Sequence, residues 1–283
     1  MNKANTLAFR VLMILILGSS QVFAQIKLDT PNTESLLYLG ESENQPLIVG
    51  LGGSEGGNAW TIDHWKATRD QFIQKGYAFL AIGYFGAKGT PPILDKIAIE
   101  NVHNAILEAT KNKKINKSKI AIVGGSRGAD LALLLASYYP DIRCVAAIVP
   151  SHVVFPGHTD HFTTSCWTYQ NRQLSFVPVN DESIPFLVKN DLRGAFEAML
   201  TDKSAEEKAL IKVENINGPI LLISATRDEI CPSTSMSEKM IIRLKNKKFK
   251  HKAEHIPIEG NHAEPLKHFD KVFAFLDQNF KNK

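Results

Sequence analysis

The sequence predicts an α/β fold in which a mostly parallel sheet carries helices on both faces and a cap insertion covers one edge. Two observations support this prediction. Short, continuously apolar runs alternate with longer amphipathic runs, and the alternation is interrupted over residues 152–216. Continuous apolar strands separated by helices are typical of a parallel sheet buried on both faces. The length of 283 residues and the 44% hydrophobic content suit one such domain.

The elements follow from these runs in chain order. The amphipathic runs place apolar residues on one stripe, as Ile99, Val102 and Ile106 do within residues 94–111. Predicted strands cover residues 46–50, 77–82, 119–123, 144–149, 219–224 and 253–258. Predicted helices cover residues 60–75, 94–111, a segment ending at Tyr139, and 265–280, with a further helical run near residues 192–200 of the cap.

The first 24 residues read as a leader rather than as part of the domain. Lys3 and Arg10 precede an apolar run at residues 11–17, and small residues follow it up to Ala24. This order predicts a signal peptide over residues 1–24 and a mature domain over residues 25–283. The alternative is an uncleaved anchor, but the run is shorter than the roughly 20 apolar residues that span a bilayer. We expect export, periplasmic or secreted, with no stable membrane span after cleavage.

Charge and cysteine content exclude several classes of protein. The net charge of +4 falls to +2 once the two basic residues of the leader are removed, which does not favour a nucleic-acid partner. Cys144, Cys166 and Cys231 contain no CxxC spacing, so zinc-ribbon and thioredoxin motifs are not indicated. One disulfide is possible in an oxidising compartment, but the sequence does not identify the pair. No cofactor is predicted, and the oligomeric state stays open.

A nucleophile is predicted where the third apolar strand meets the next helix. Residues 124–128 read GGSRG and match G-x-S-x-G between that strand and the helical run that follows. A serine at such a turn is the nucleophile of α/β-hydrolases, and the helix N-terminus and the N–H of Arg127 lie beside the developing oxyanion. The alternative is a glycine-rich turn that binds phosphate or only reverses the chain. The setting favours Ser126 as the nucleophile.

The acid and the base should follow the nucleophile in that order along the chain. Asp228 comes directly after the fifth predicted strand, with Glu229 as the alternative acid, and His262 lies in the loop after the sixth. His262 would act as the base that takes the proton from Ser126, and the acid would orient its imidazole. Each residue alone is weak evidence, and the ordered set of three is much stronger.

The second oxyanion donor should come from the loop after the first predicted strand. Residues 51–57 read LGGSEGG, and glycines permit the close backbone approach that such a loop needs. The amide of Ser54 is the predicted donor, with Gly53 as the neighbouring choice. The alternative is a flexible glycine loop without this role.

With these residues in place, the chain resembles the C-terminal catalytic domain of the acyl-CoA thioesterase and bile acid-CoA:amino acid N-acyltransferase family (BAAT). The similarity runs from about Gln45 to the end, and it rests on the segments 52–57, 165–169, 213–222, 231–233 and 260–265. The resemblance implies an α/β-hydrolase fold and an acyl thioester substrate. The amidating branch of the family uses cysteine as its nucleophile, so Ser126 points to hydrolysis.

Two departures from the family pattern stand out. Fuller members carry an N-terminal β-sandwich domain, for which we expect no room in this chain. The histidine loop reads NHAEP at residues 261–265, which slightly alters the family's spacing. A signal peptide is unusual for an enzyme that acts on CoA thioesters, because an exported enzyme rarely meets CoA. Function also follows the site rather than the fold, so the substrate need not be that of the family.

The sequence therefore predicts an exported serine hydrolase that cleaves small-molecule acyl thioesters or esters through an acyl-enzyme on Ser126. The alternatives are an envelope carboxylesterase without CoA activity and a non-catalytic binding protein on the same scaffold. A metal site in the cap is disfavoured, because the spacing of its candidate ligands matches no familiar pattern. Those candidates are His152, His158, Asp160 and His161. The substrate pocket is expected to be lined by the cap aromatics Trp167, Tyr169 and Phe176, whose alternative role is packing.

Overall fold

A computed structural model describes residues 23–281 of the protein. Residues 1–22, which hold nearly all of the predicted signal peptide, lie outside the described residues. The strands are β1 (Ala24–Leu28), β2 (Glu34–Leu39), β3 (Gln45–Leu51), β4 (Ala78–Gly83), β5 (Ile97–Ala98), β6 (Ile115–Gly125), β7 (Ile142–Ile148), β8 (Trp167–Tyr169), β9 (Arg172–Gln173), β10 (Ile220–Ala225) and β11 (Ala253–Ile258).

The α-helices surround this set of strands. They are α1 (Asp63–Gln74), α2 (Ile99–Ala109), α3 (Arg127–Tyr138), α4 (Ile184–Val188), α5 (Leu192–Met199), α6 (Lys203–Lys208), α7 (Ser233–Asn246) and α8 (Phe269–Leu276). Short 3₁₀ turns lie at Ala59–Thr61, Val213–Asn215 and Glu264–Lys267, and a π-helical turn at Asp277–Lys281 follows α8.

Eight of the strands form one sheet in the order β1-β2-β4-β3-β6-β7-β10-β11. The six strands from β4 to β11 run parallel, and β1 and β2 are antiparallel to their neighbours. The register places Leu51 opposite Gly124, Gly125 opposite Ile148, and Ala225 opposite Ile258. The carboxyl ends of the parallel strands therefore meet at one edge, where ligands of such sheets bind. The predicted α/β fold is confirmed.

The apolar strands read as continuous runs because both faces of the sheet are covered. On β3, the buried side chains of Leu47 and Val49 belong to one core cluster and that of Ile48 to the other. The first cluster also contains buried residues of α2, α3 and α7, and the second contains those of α1 and α8. Successive side chains of a strand point to opposite faces, so both faces of the central strands β3, β4 and β10 must be apolar.

The structure differs from the predicted elements in places that depend on distant pairing. The predicted helix over residues 94–111 begins only at Ile99, because Ile97 pairs with Trp167 across β5 and β8. The antiparallel strands β1 and β2 were not predicted, since β1 is exposed along most of its length and shows no apolar run. The predicted helix over residues 265–280 is divided into a 3₁₀ turn, α8 and a π-helical turn.

The chain between β7 and β10 contains the segment predicted as a cap. It carries β8, β9 and helices α4 to α6, and β8 joins β5 in a small separate sheet. Part of it packs around a core of its own that includes Phe155, Met199 and Met236 of α7. His152 donates to Glu206 at 2.8 Å, and Glu206 is also paired with Lys239 of α7. Within residues 23–281, no helix has both the length and the apolar character required to span a membrane.

Candidate active site

Ser126 occupies a strained turn between β6 and α3. Its backbone has φ 52° and ψ −124°, a region that residues with a side chain rarely adopt and that costs about 1–3 kcal/mol. The flanking glycines allow it: a Cβ on Gly124 would lie 2.1 Å from the carbonyl oxygen of Gly128, and one on Gly128 would lie 2.2 Å from that of Gly52. The turn holds the serine at the carboxyl edge of the sheet, where a functional group can be exposed to a ligand.

Three side chains from separate loops form one hydrogen-bonded chain at this edge. His262 Nδ1 lies 2.8 Å from Asp228 Oδ1, and His262 Nε2 lies 3.1 Å from Ser126 Oγ. The carboxylate accepts a hydrogen bond from Nδ1–H, which leaves Nε2 unprotonated and able to accept from the serine hydroxyl. Asp228 follows β10 and His262 follows β11, so the parallel order of the strands brings together residues 136 positions apart in sequence.

The carboxylate of Asp228 is fully buried and surrounded by donors. Besides His262, it accepts from the backbone amides of Ile230 and Cys231, both at 3.0 Å, and from Ser233 Oγ at 2.6 Å. Burial alone would raise the pKa of Asp228, but the hydrogen bonds from His262, Ser233 and Cys231 outweigh it and lower the pKa. Asp228 is therefore ionised at neutral pH and fixed in orientation.

Glu229, the alternative acid, contacts the backbone of the histidine loop rather than the imidazole. Its Oε2 accepts from the amide of His262 at 2.9 Å. The structure therefore places the two neighbouring acids in different positions, Asp228 on the ring and Glu229 on the main chain. Arg193 of α5 adds a contact from the cap by donating to the carbonyl of Asp228 at 2.8 Å.

The glycine-rich loop after β3 lies beside the serine. The amide of Gly53 donates to Glu55 Oε1 at 3.0 Å, and the hydroxyl of Tyr84 donates to the carbonyl of Gly52 at 2.7 Å. Within residues 23–281, the amides of Ser54 and Arg127 have no acceptor. Of the two amides considered in this loop, only that of Ser54 is free to bind an oxyanion.

A cavity of about 760 Å³ opens beside Ser126 and His262. Its wall on the cap side is mainly apolar and comes from α4, α5 and the segment that follows β7. The residues that contribute include Phe155, Leu187, Leu192, Phe196 and Met199. An apolar cavity of this size with a few convergent polar groups is typical of a site for a small organic molecule.

Comparison with known proteins identifies the family. The model of the family "BAAT / Acyl-CoA thioester hydrolase C terminal" matches residues 97–265, which is more than half of the chain. The chain belongs to this family. The resemblance noted in the sequence is thereby confirmed.

Two relatives and one solved structure illustrate the similarity. Acyl-coenzyme A amino acid N-acyltransferase 1 of Mus musculus is 25% identical over 200 residues, which cover 71% of this chain and 44% of that protein. Acyl-coenzyme A thioesterase 6 of Homo sapiens is 28% identical over 168 residues, covering 50% and 38%. The chain thus spans less than half the length of these relatives. An esterase of Pyrococcus furiosus aligns over 92% of this chain and 94% of its own with a TM-score of 0.59 at 15% identity, which shows the fold alone.

The aromatic residues predicted to line the substrate pocket do not line the cavity of this BAAT-family chain, and that prediction is wrong. Trp167 is fully buried with its ring 5.8 Å from Tyr84, and Tyr169 packs at 4.6 Å against Tyr138. Phe176 packs against the same core cluster. Trp167 and Tyr169 belong to β8, whose pairing with β5 turns them towards the core. Phe155 and Phe196 line the cavity instead. Phe155 lies in an apolar run of the sequence and Phe196 on the amphipathic helix α5, and these two patterns could have indicated them.

The polar cap residues considered as metal ligands are not brought together in the described part of the chain. His152 is buried against Glu206. His158 lies on the cavity wall, where burial and the charge of Arg127 lower its pKa to about 4. The one group of three possible ligands within residues 23–281 is Asp228, Cys231 and His262. Burial and the charge of Asp228 raise the pKa of Cys231 far above its usual range, so the thiol stays protonated and poorly suited to a metal.

The cysteines also settle the question of a disulfide. Cys144, Cys166 and Cys231 are all buried and all free. The disulfide considered possible from the sequence is therefore not formed.

Proposed function

We propose that this protein is an exported serine hydrolase that cleaves acyl thioesters or esters through an acyl-enzyme on Ser126. The observation that carries the proposal is a continuous chain of hydrogen bonds. It begins at Ser126 on the strained turn and runs through His262 to the ionised Asp228. Nucleophile, base and orienting acid stand within hydrogen-bond reach of one another, which is the geometry that acyl transfer requires.

The reaction would proceed in two halves. Ser126 Oγ attacks the carbonyl carbon while its proton passes to His262 Nε2, and the amides of Ser54 and Arg127 donate to the oxyanion. The protonated His262 then gives its proton to the departing thiolate or alkoxide. Water attacks the acyl-enzyme with His262 again as base, and the acid product leaves with Ser126 restored.

The family and the cavity support an acyl substrate. Relatives named as acyl-coenzyme A thioesterases and N-acyltransferases align with this chain, and the apolar cavity beside Ser126 has room for an acyl chain. A serine nucleophile favours water as the acceptor of the acyl group. The leaving group is left open between CoA and an alcohol, because an exported enzyme would meet oxyesters more often than CoA thioesters.

Export is proposed from residues 1–24 alone, whose basic start, short apolar run and small residues are typical of a signal peptide. Expression of the full chain in a bacterial host, followed by fractionation and N-terminal sequencing, tests it. A product in the periplasm or medium that begins at Gln25 is the expected result. A full-length product in the membrane or cytoplasm would contradict export.

The enzymatic proposal is tested by labelling and by turnover. A fluorophosphonate should add one adduct to the peptide that contains Ser126. Ser126→Ala should abolish this labelling, whereas Ser137→Ala, on the helix α3 that follows Ser126, should not. The kcat/KM is then compared for an acyl-CoA and an oxyester of the same acyl chain, with Ser126→Ala as the blank. Preference for either substrate would identify the leaving group. Absence of both labelling and Ser126-dependent turnover would contradict the proposal and favour a binding protein.

A further inference from the structure

The side chain that follows the nucleophile is an arginine that lines the cavity. Arg127 is buried, with its guanidinium carbon 5.4 Å from the ring centre of Phe155 and 5.6 Å from that of Phe196. Its Nη1 donates to Asp130 Oδ2 at 3.3 Å, one turn further along α3. Its backbone amide is assigned above to the oxyanion, but the guanidinium has no part in that mechanism.

Most of the donors of this guanidinium have no acceptor. Arginine carries five N–H donors, and within residues 23–281 the acceptor that the side chain of Arg127 reaches is Asp130. Nε and Nη2 have no acceptor. Both atoms still have some accessible surface, since neither is among the fully enclosed polar atoms that lack a hydrogen-bond partner. Because Arg127 lines the cavity, these donors are open to a molecule bound there. A buried charged group with unused donors is costly unless a ligand completes its hydrogen bonds.

The charge around Arg127 favours a neutral acceptor. Asp130 also accepts from the amide of Ser151 at 2.7 Å, so its carboxylate is held in place beside the guanidinium. Burial raises the pKa of Asp130 to about 6, against the charge of Arg127, and the carboxylate is still ionised at neutral pH. The pair is then neutral, and a carboxylate from the ligand would place a second negative charge next to Asp130. A ketone, hydroxyl or amide oxygen adds no charge in this apolar cavity.

We propose that the guanidinium of Arg127 is a specificity-determining group that binds a neutral oxygen acceptor on the acyl chain of the substrate. The preferred acyl group is then not a plain hydrocarbon but one that carries a keto, hydroxyl or amide oxygen at one position along its length. This inference rests on the proposed hydrolase function, because it names the substrate class of the same site.

The test uses acyl esters that share one leaving group and one chain length. In the series, a single methylene is replaced by a carbonyl at successive positions, and one further member ends in a carboxylate. At one position, the wild-type kcat/KM should exceed that of the hydrocarbon parent by about 10- to 100-fold, the range expected for a hydrogen bond to a charged group. For the wild-type protein, the increase in kcat/KM over the hydrocarbon parent should be smaller for the carboxylate-terminated ester than for the best keto ester.

Variants separate this effect from the intrinsic reactivity of the esters. Arg127→Met should lower the ratio of keto to parent kcat/KM by about 10- to 100-fold, and Arg127→Lys should retain part of it. Arg172→Met, which removes an exposed arginine on β9, should leave the ratio unchanged. Since both esters use the same Ser126 and His262 in each variant, a general loss of chemistry cancels in the ratio. Thermal unfolding checks that each variant folds.

Asp130→Asn gives a second test that keeps the arginine. Asn can still accept from the amide of Ser151, but the guanidinium now carries an uncompensated positive charge. In this variant, the ratio of kcat/KM for the carboxylate-terminated ester to that for the keto ester should be higher than in the wild type. No keto preference in the wild type, or a preference that Arg127→Met leaves intact, would overturn the inference.

Binding to the Ser126→Ala variant separates this inference from the hydrolase proposal. Calorimetric Kd values of the unhydrolysed esters should show the same preference for the keto chain, and the double variant Ser126→Ala/Arg127→Met should lose it. Preference in Kd without any wild-type turnover would contradict the hydrolase proposal alone. Ser126-dependent turnover with equal Kd values for keto and parent chains would contradict the role of Arg127 alone.

Discussion

The two walls of the cavity are built differently. On the sheet side, the carboxylate of Asp228 has four hydrogen-bond donors of ordinary length and His262 is held through both its ring and its backbone. On the cap side, α4 buries none of its residues and Val188 is 81% exposed. The sheet wall is fixed by many short polar contacts, and the cap wall depends mainly on apolar packing. We infer that the first wall sets the chemistry and the second sets the acyl group that is accepted.

Polar contacts between the cap helices and the sheet side can be identified individually. Arg193 of α5 donates to the carbonyl of Asp228, and Glu206 of α6 pairs with Lys239 of α7. The comparison can therefore be tested by changing one wall at a time. Changes on the sheet side should reduce kcat/KM for every substrate, and changes on the cap side should alter the ranking of substrates.

The largest effect is expected at the acid. Asp228→Asn should lower kcat by about 10⁴-fold, because the amide no longer holds His262 in the tautomer that accepts from Ser126. Steady-state kinetics with a reactive ester measures this loss. Glu229→Gln is the matched control and should cost less than about 10-fold, since its side-chain oxygen can still accept from the amide of His262. Equal losses in the two variants would contradict the assignment of Asp228.

The next effect concerns the close approach of α3 to the loop after β3. Gly128→Ala would place a methyl group 2.2 Å from the carbonyl oxygen of Gly52, so backbone must move. We expect the free energy of unfolding to fall by about 2–4 kcal/mol, with activity lost in the same variant. Urea denaturation measures the loss.

Gly57→Ala is the control for that substitution. Its Cβ would meet nothing within 4 Å, and only its positive φ of 68° opposes the change. A cost near 1 kcal/mol is expected, from the backbone conformation alone. If Gly57→Ala were as costly as Gly128→Ala, steric contact at the turn would not be the cause.

A smaller effect is expected on the cap wall, and it concerns selectivity. Phe196→Ala removes an aromatic ring that lines the cavity, so KM for long acyl chains should rise about 10-fold while kcat for an acetyl ester stays nearly constant. Phe176→Ala removes a ring of the same size that packs against the core and should leave the ranking of acyl lengths unchanged. If only Phe176→Ala changed the ranking of acyl lengths, that result would support the substrate pocket predicted from the sequence.

The smallest effect is a pH dependence at the contact between cap and sheet. Burial raises the pKa of Glu206, but hydrogen bonds from Lys203, Lys239 and His152 outweigh it and lower the pKa to about 2. The carboxylate therefore stabilises the folded protein above pH 4.5, and this contribution disappears as the pH falls from 4.5 to 2. Glu206→Gln should lose about 1–2 kcal/mol at pH 7, a modest value because both lysines are partly exposed.

Denaturation at several pH values checks this prediction. The difference between wild type and Glu206→Gln should shrink on acidification below pH 4.5. In the wild type, burial lowers the pKa of His152 to about 4 despite its hydrogen bond to Glu206, so stability also falls as the pH drops from 6.5 to 4. Glu108→Gln, in an exposed pair with Lys111, is the control and should show a difference near zero. A constant difference down to pH 2 would contradict the role of the Glu206 charge.

The central strands and the serine could be predicted from local sequence because their signals are local. A strand buried on both faces must be mostly apolar, and β4 and β10, whose residues are all buried, lie within one residue of the predicted bounds. The turn at Ser126 needs small neighbours on both sides, which the motif at residues 124–128 displays. The order of serine, acid and histidine follows from the order in which parallel strands deliver their carboxyl ends to one edge.

The choices that local sequence left open were decided by contacts between distant segments. Asp228 and Glu229 are adjacent and chemically alike, and only the position of the loop after β11 determines which one meets the imidazole. The cap aromatics were misassigned because Trp167 pairs through β8 with a strand 70 positions earlier, which no local pattern reveals. The open donors of Arg127 likewise exist only because Asp130, Phe155 and Phe196 are folded around it. Local patterns determine which residues can carry the chemistry, and long-range packing decides what each side chain faces.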